Sequence, residues 1–334
     1  MSQPSALPAA DSLAALHPGF KSSALVWLGV MVALWGFSWP VMKICVGLAP
    51  PLWLAAIRFT SSGLCLFAFL ACRGELRLPP RADWPIVASV GGLQMMAFTG
   101  LGLVAMQYTD AGRAALLAYT TPLWAVVTAW IAFGQRPTAA QGVALCVGLS
   151  GVAVICSPAD MDWGDSTVLL GNALLLLSAM CWSFVILHVR RHRFTARPID
   201  LAPWQMLLAA LPLIVIAASV DGSPLTIAWT PELIGFLIYF GPIATSACFV
   251  ISSEYGRRVS AFAMSNITLG VPVIGMLSSI FLLGERVTVP LIIGLTLIVS
   301  GVALAALAVN RKAAAGRADT ALRSQAGKAN WPTA

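Results

Sequence analysis

Charge is scarce in this 334-residue chain: Asp, Glu, Lys and Arg together make up 10% of it, where a soluble domain carries about 25%. Hydrophobic residues reach 59% and the mean hydropathy is +0.85, which excludes an ordinary soluble protein and fits a polytopic membrane protein. No Asp or Glu falls in the middle of an apolar run. The three histidines, His17, His188 and His192, make no HExxH-type pair. The seven cysteines (Cys45, Cys65, Cys72, Cys146, Cys156, Cys181, Cys248) lie in or at the ends of apolar runs. They form no CxxC or Cys/His metal spacing and read as small apolar filler. No catalytic residue, metal site or cofactor is therefore expected. An intramembrane enzyme needs a buried nucleophile–base pair or a metal set, and the chain offers neither.

What is present is a series of apolar runs long enough to cross a bilayer. Ten spans are expected, near 24–44, 51–72, 84–107, 112–133, 139–157, 168–190, 200–219, 232–253, 259–283 and 289–309. Residues 1–22, rich in Ala, Ser and Pro, read as a disordered tail rather than a cleavable signal peptide. The stretch 311–334 reads as a basic polar tail. Ten spans put both termini on one side, and sixteen of the twenty basic residues fall on that side. Only Arg113 and Arg286 occupy loops on the other, which carries the acidic stretch Asp160, Asp162, Asp165. The positive-inside rule places both termini in the cytoplasm. The net charge of +7 therefore argues orientation, and no nucleic-acid partner is expected.

The chain also repeats itself. Shifted by 150 positions, Pro122 falls on Pro272, Gly134 on Gly284, Arg136 on Arg286 and Thr138 on Thr288, and Ser150–Ala153 reads Ser-Gly-Val-Ala like Ser300–Ala303. A fixed-offset repeat implies two equivalent halves, and two apolar hairpins alike by composition alone would not share one register across turn and kink residues. The copies begin five spans apart, an odd number, so the second half is inverted. The expected fold is all-α: ten transmembrane helices as a 5+5 inverted repeat, with halves at 23–158 and 159–310. Inverted repeats suit alternating access around a central site. Leu34-Trp35-Gly36-Phe37 echoes Cys181-Trp182-Ser183-Phe184 in the corresponding span of the second half.

Several stretches resemble a known pattern: Leu34-Trp35-Gly36 through Lys43, Ala55-Ala56-Ile57-Arg58-Phe59, and Ala111-Gly112-Arg113-Ala114-Ala115-Leu116-Leu117 on to Pro122. Pro272 through Gly284-Glu285-Arg286 and Gly294 to Gly301 continue it. In this order they resemble the EamA-type exporters of the drug/metabolite transporter superfamily, over nearly all of the membrane part, and within it the aromatic amino-acid exporter branch. The resemblance implies export of metabolites, amino acids or drugs from the bacterial cytoplasm, often proton-linked. Gln135, where the second half has Glu285, departs from the pattern and gives the inner turn no acidic role. The lack of a mid-span carboxylate leans towards uniport or exchange.

Candidate site residues follow from what hydrocarbon does not tolerate. Arg58, about two turns into span 2, must face the interior or a wet cavity; it either attracts a substrate carboxylate or makes a structural hydrogen bond or snorkels. Lys43 is expected at the interface. Trp35 and Trp39 share one helical face, and with Trp182 they either wall an apolar, π-rich cavity or pack as core. Gln94, Tyr119, Thr120, Tyr239, Thr245, Ser246, Ser265 and Asn266 are uncharged polar groups that must point inward, to bind solute or to hold helices together. The substrate-binding set is thus Trp35, Trp39, Arg58, Gln94, Tyr119, Trp182, Tyr239 and Asn266. Pro122 and Pro272 are expected to be hinges or fixed kinks. Gly142, Gly148, Gly294 and Gly301 allow close packing in spans 5 and 10, as scaffold or as a homodimer contact in a chain that is otherwise a monomer. The reading is a bacterial inner-membrane secondary transporter exporting aromatic or broadly neutral amino acids or similar amphipathic metabolites, with membrane lipid around it. Drug efflux is the main alternative, and a channel or lipid scramblase a more distant one.

Overall fold

The computed structural model describes residues 18–156, 164–255, 264 and 267–308, with side chains from residue 23 onward. The described residues are all-helical, and eight helices are long and apolar enough to cross a membrane. Span 1 is Pro18–Leu48, span 2 Pro51–Cys72, span 6 Ser166–Arg191 and span 7 Pro198–Val220. Span 3 (Arg81–Ala105), span 4 (Ala111–Phe133), span 8 (Pro231–Tyr255) and span 10 (Val289–Ala308) complete the long set. Span 5, Ala139–Ile155, and the described part of span 9, Gly270–Leu283, are shorter apolar helices. The protein is a ten-helix polytopic membrane protein. Span 1 begins earlier than expected: Pro18, Gly19, Phe20, Lys21 and Ser22 are helical rather than tail. The rest of the expected tails lies outside the described residues.

The two halves are built alike, turn for turn. Span 4 breaks at Tyr119–Thr120, two residues before Pro122, and span 9 breaks at Leu269, with Pro272 in the turn that follows. Each proline thus sits in the first turn of a fresh helical segment, where its missing N–H costs nothing, rather than as a kink in a continuous helix. Gly134 and Gly284 end those segments at φ of 63° and 65°, a left-handed conformation that glycine adopts without strain. Thr138 and Thr288 then cap the next spans, accepting from the amides of Gln141 and Leu291, each at 3.3 Å. Spans 3 and 8 also match: each loosens into a π-helical stretch, Val90–Phe98 and Tyr239–Ala247.

Packing obeys the same symmetry. Span 1 packs on span 9 as span 6 packs on span 4; span 3 lies on span 7 as span 8 lies on span 2; span 3 meets span 6 as span 8 meets span 1. Exchanging the halves leaves this pairing unchanged, as a two-fold axis requires, and five crossings per half make the repeat inverted. Matched glycines allow the approach. A methyl on Gly91 would stand 2.7 Å from the Gln205 carbonyl of span 7, and one on Gly241 3.3 Å from the Arg58 carbonyl of span 2. Spans 5 and 10 meet across a seam where a methyl on Gly301 would come within 2.6 Å of Gly148 and one on Gly151 within 2.9 Å of the Gly294 carbonyl. Small residues bring helix backbones together where no hydrophobic drive exists between them. The seam is intramolecular, whereas Gly142 faces open space.

The loops gather on two faces. On one, Arg197 holds Glu75 at 2.8 Å. There the buried carboxylate of Asp83 accepts from the amides of Thr195 and Ala196 at 3.1 and 2.8 Å and pairs with His192 Nε2 at 2.8 Å. This is the basic face. On the opposite face Leu52 N donates to Asp221 Oδ2 and Trp53 Nε1 to the Gly222 carbonyl, both at 2.9 Å. Lys43 lies there too. Its Nζ donates to the carbonyls of Met106 and Thr109 at 2.7 and 2.8 Å, pinning span 1 to the loop between spans 3 and 4.

Candidate functional site

The π-helical stretches of spans 3 and 8 face each other across the middle of the molecule, and between them is a chamber of about 140 Å³. A π turn adds one residue per turn and re-aims the side chains around it, and such turns recur at functional sites. Here they deliver Gln94, Met95 and Phe98 from one half and Thr245 from the other. Thr245 Oγ1 bonds the Phe240 carbonyl five residues back at 2.9 Å, the register of a π turn.

Among the described residues, Arg58 is the only charged one that lines the chamber. Its Nε donates to Thr245 Oγ1 at 2.8 Å, its guanidinium carbon lies 4.1 Å from the Phe240 ring centroid and 5.5 Å from that of Phe59, and Nη1 meets only the sulfur of Met42, at 4.0 Å. Cation–π contact lowers the cost of holding the charge at this depth. The guanidinium has five N–H donors; Nη2 has no acceptor among the described residues and is available to whatever enters.

Aromatic rings form the walls. Trp39 and Tyr119 meet edge to face at 6.3 Å, Tyr119 and Trp182 at 6.3 Å, and Trp182 and Phe98 at 4.7 Å. Trp35 is fixed by its indole N–H, which donates to the Ala244 carbonyl at 3.0 Å. Trp35, Tyr119 and Trp182 also line a second, larger cavity of about 670 Å³. This vestibule runs along spans 4, 6 and 10, past Pro122, to Gln135, Arg136 and Arg190 on the basic face. Towards the opposite face the chamber is backed by packed side chains: Leu103, Met106 and every residue from Ala111 to Ala118 are buried, and Gly275 lets Trp39 and Ala115 close on span 9.

Of the residues the sequence singles out, Trp35, Trp39, Arg58, Gln94, Tyr119 and Trp182 converge on this chamber. Tyr239 does not line it; its hydroxyl donates to the Leu34 carbonyl at 2.7 Å and ties span 8 to span 1. Ser246 likewise serves span 2, donating to the Ser62 carbonyl at 2.9 Å, and Thr120 bonds the Leu117 carbonyl at the break in span 4. Ser265 and Asn266 lie outside the described residues.

Comparison with known proteins decides the family. The model of the EamA-like transporter family matches the chain twice, over residues 22–157 and 169–307. The chain belongs to the EamA-like transporter family. Among relatives of this EamA-like transporter, an uncharacterised transporter of Bacillus subtilis (YvbV) is 26% identical over 88% of the chain and 98% of its own length. An uncharacterised inner membrane transporter of Escherichia coli (YedA) is 28% identical over 78% of the chain and 83% of its own length. A protein of Escherichia coli named a probable amino-acid metabolite efflux pump is 27% identical over 81% and 91%. A solved crystal structure superposes with a TM-score of 0.60 at 22% identity, covering 85% of this chain and 98% of that one, and shares the fold.

The transporter also holds a contact that sequence reasoning missed. Glu285, in the turn between spans 9 and 10, reaches across to the other half and accepts from the amides of Ala111 and Gly112 at 2.7 and 2.9 Å. Those amides open span 4, where a carboxylate suits both the free N–H groups and the helix dipole. Burial raises the Glu285 carboxyl above its ordinary value; the two amides oppose this, while Asp110 adds to it and Lys43 opposes it. The only sequence signal was the departure of Gln135 from Glu285 at the matched turn.

Proposed function

We propose that this protein is a secondary transporter of the bacterial inner membrane that exports amino acids or related small amphipathic carboxylates by alternating access. The observation that carries this reading is the pairing of one cavity-facing arginine with an aromatic-walled chamber that opens through a vestibule to the basic face and is backed by packed side chains on the other. Positive-inside reasoning makes the basic face cytoplasmic, with both termini there. The described conformation is then an inward-facing one, loaded from the cytoplasm. Arg58 Nη2 takes the carboxylate, as guanidinium geometry favours, and Trp35, Trp39, Tyr119 and Trp182 hold the apolar body. The breaks before Pro122 and Pro272 are the hinges that exchange the open ends. The Escherichia coli relative named a probable amino-acid metabolite efflux pump supports the substrate class. Among the described residues, the chamber offers no carboxylate to a cationic drug. The protein is proposed to work as a monomer, since its glycine seam is used internally; a homodimer would use the outer faces of spans 5 and 10.

The test is transport of labelled neutral and aromatic amino acids and their carboxylate derivatives in proteoliposomes. At least one is expected to move, and Arg58→Gln and Trp182→Ala are each expected to cut its rate about tenfold or more, the loss of a buried charge-assisted contact or an aromatic anchor. If no member of the panel moves, or both variants transport like the wild type, the reading fails.

A further inference from the structure

Among the described residues, the charges along the route are all of one sign, and this bears on the substrate. Arg58 stands at the closed end, and Arg136 and Arg190 stand where the vestibule reaches the basic face. No Asp or Glu lines either cavity among the described residues. A lined path of one charge sign concentrates ions of the other.

A zwitterion meets a difficulty here that an anion does not. If its carboxylate engages Arg58 Nη2, the α-ammonium is held within a few ångströms of the same guanidinium, in a setting where like charges repel far more than in water. Ser38 and Ser178 donate to the carbonyls of Leu34 and Leu175, so their oxygens, like that of the Gln94 amide, are left to accept from an ammonium; but these acceptors are neutral, and none supplies the negative charge that would offset the repulsion. A carboxylate whose α-position carries an amide, a keto group or hydrogen instead of an ammonium satisfies Arg58 with no such penalty.

Resting on the transport reading above, we infer that the preferred solute is a net anion: an aromatic or apolar carboxylate without a free α-ammonium, such as a deaminated or N-acylated amino acid, rather than the amino acid itself. The chamber is below the roughly 300–1,000 Å³ of ordinary ligand pockets. It takes the carboxylate and part of the body, and the remainder projects past Trp35, Tyr119 and Trp182 into the vestibule.

The experiment compares four ligands of one body and different charge on the purified protein at pH 7.5, reading tryptophan fluorescence and titration calorimetry. They are N-acetylphenylalanine and 3-phenylpropionate (anions), phenylalanine (zwitterion) and phenethylamine (cation). Both anions are expected to bind at least about tenfold tighter than phenylalanine, with phenethylamine weakest, as a route of single charge sign requires. Arg58→Gln is expected to bring the anions down to the level of phenylalanine. Because the wild-type series needs no substitution, misfolding of that variant leaves the inference testable. Phenylalanine binding as tightly as the two anions, or tighter, overturns it while leaving the transport reading intact. Failure of all four to bind overturns the central-cavity reading and this inference together.

Discussion

Glu285 offers the sharpest test of how the opposite face is held shut. Glu285→Ala removes the acceptor of two short hydrogen bonds, from Ala111 and Gly112 at 2.7 and 2.9 Å, and leaves the first amides of span 4 uncapped. Removing a helix cap costs about 0.5–2 kcal/mol, and charge-assisted bonds lie at the upper end. Part of this returns, because burial disfavours the Glu285 carboxylate and truncation lifts that cost. A net weakening of about 1–2 kcal/mol raises the local opening constant roughly 5–30-fold. The assay is amide hydrogen exchange in nanodiscs: residues 111–117 are expected to exchange faster by that factor, with span 7 unchanged. The sign of the pH effect follows from the raised pKa. The closed state binds the proton more tightly than a solvent-exposed Glu285 with its ordinary value near 4.3. The closed state is therefore most stable below that ordinary value, and this extra stability is lost as pH rises through the raised value. Glu285→Gln keeps one acceptor and cannot titrate, so it should exchange close to wild type with no such pH dependence. Unchanged exchange at 111–117 in Glu285→Ala, or a pH profile that persists in Glu285→Gln, refutes the argument.

Three further substitutions test the scaffold. Gly301→Ala sets a methyl 2.6 Å from Gly148 backbone and should destabilise by about 1–3 kcal/mol through overpacking, seen as a lower Tm in detergent. Gly142→Ala meets nothing within 4 Å and should be neutral or stabilising by up to about 1 kcal/mol. Asp83→Ala strips the acceptor from Thr195, Ala196 and His192 and should cost about 3 kcal/mol. Its expected signature is a lower Tm together with faster trypsin cleavage after Arg193; an unchanged Tm would show that the 6–7 loop is held by other contacts.

Much of the fold was written locally. Gly134 and Gly284, Thr138 and Thr288, and Pro122 and Pro272 fix turns, caps and first helical turns from their own chemistry, so the repeat could be read without knowing what touches what. The inward placement of Trp35, Arg58, Gln94 and Trp182 followed from a solvent that satisfies no polar group. What stayed hidden depends on partners distant in sequence. Tyr239 and Gln94 have the same local credentials, yet Tyr239 meets the Leu34 carbonyl 205 residues away while Gln94 faces the chamber. The partners of Lys43 were equally hidden: the helix continues past it to Leu48, and its ammonium meets the Met106 and Thr109 carbonyls more than sixty residues away. The π-helical stretches carry breakers, Gly91-Gly92 and Gly241-Pro242, but such residues serve a bend or a close helix contact equally well and do not by themselves announce a π turn. The stretches arise where Gly91 and Gly241 let spans 7 and 2 press close, a tertiary effect.

The places where the halves differ then carry more of the function than the places where they agree. Under alternating access, two halves of like construction give two end states whose gross packing is nearly the same, because each half takes the other's role. Matched features such as the Gly134 and Gly284 turns cancel in that comparison. The residue after each glycine does not: Gln135 lies in the open vestibule, while Glu285 grips the start of span 4. A difference of about 1.4 kcal/mol is a tenfold change in population, so one carboxylate bridging the halves is enough to set which face is closed at rest. The same logic singles out Arg58. A ligand shifts a two-state equilibrium only by its differential affinity for the two states. The group best placed to supply that difference is the one charged side chain that lines the chamber among the described residues, held by Thr245 and Phe240 of the opposite half.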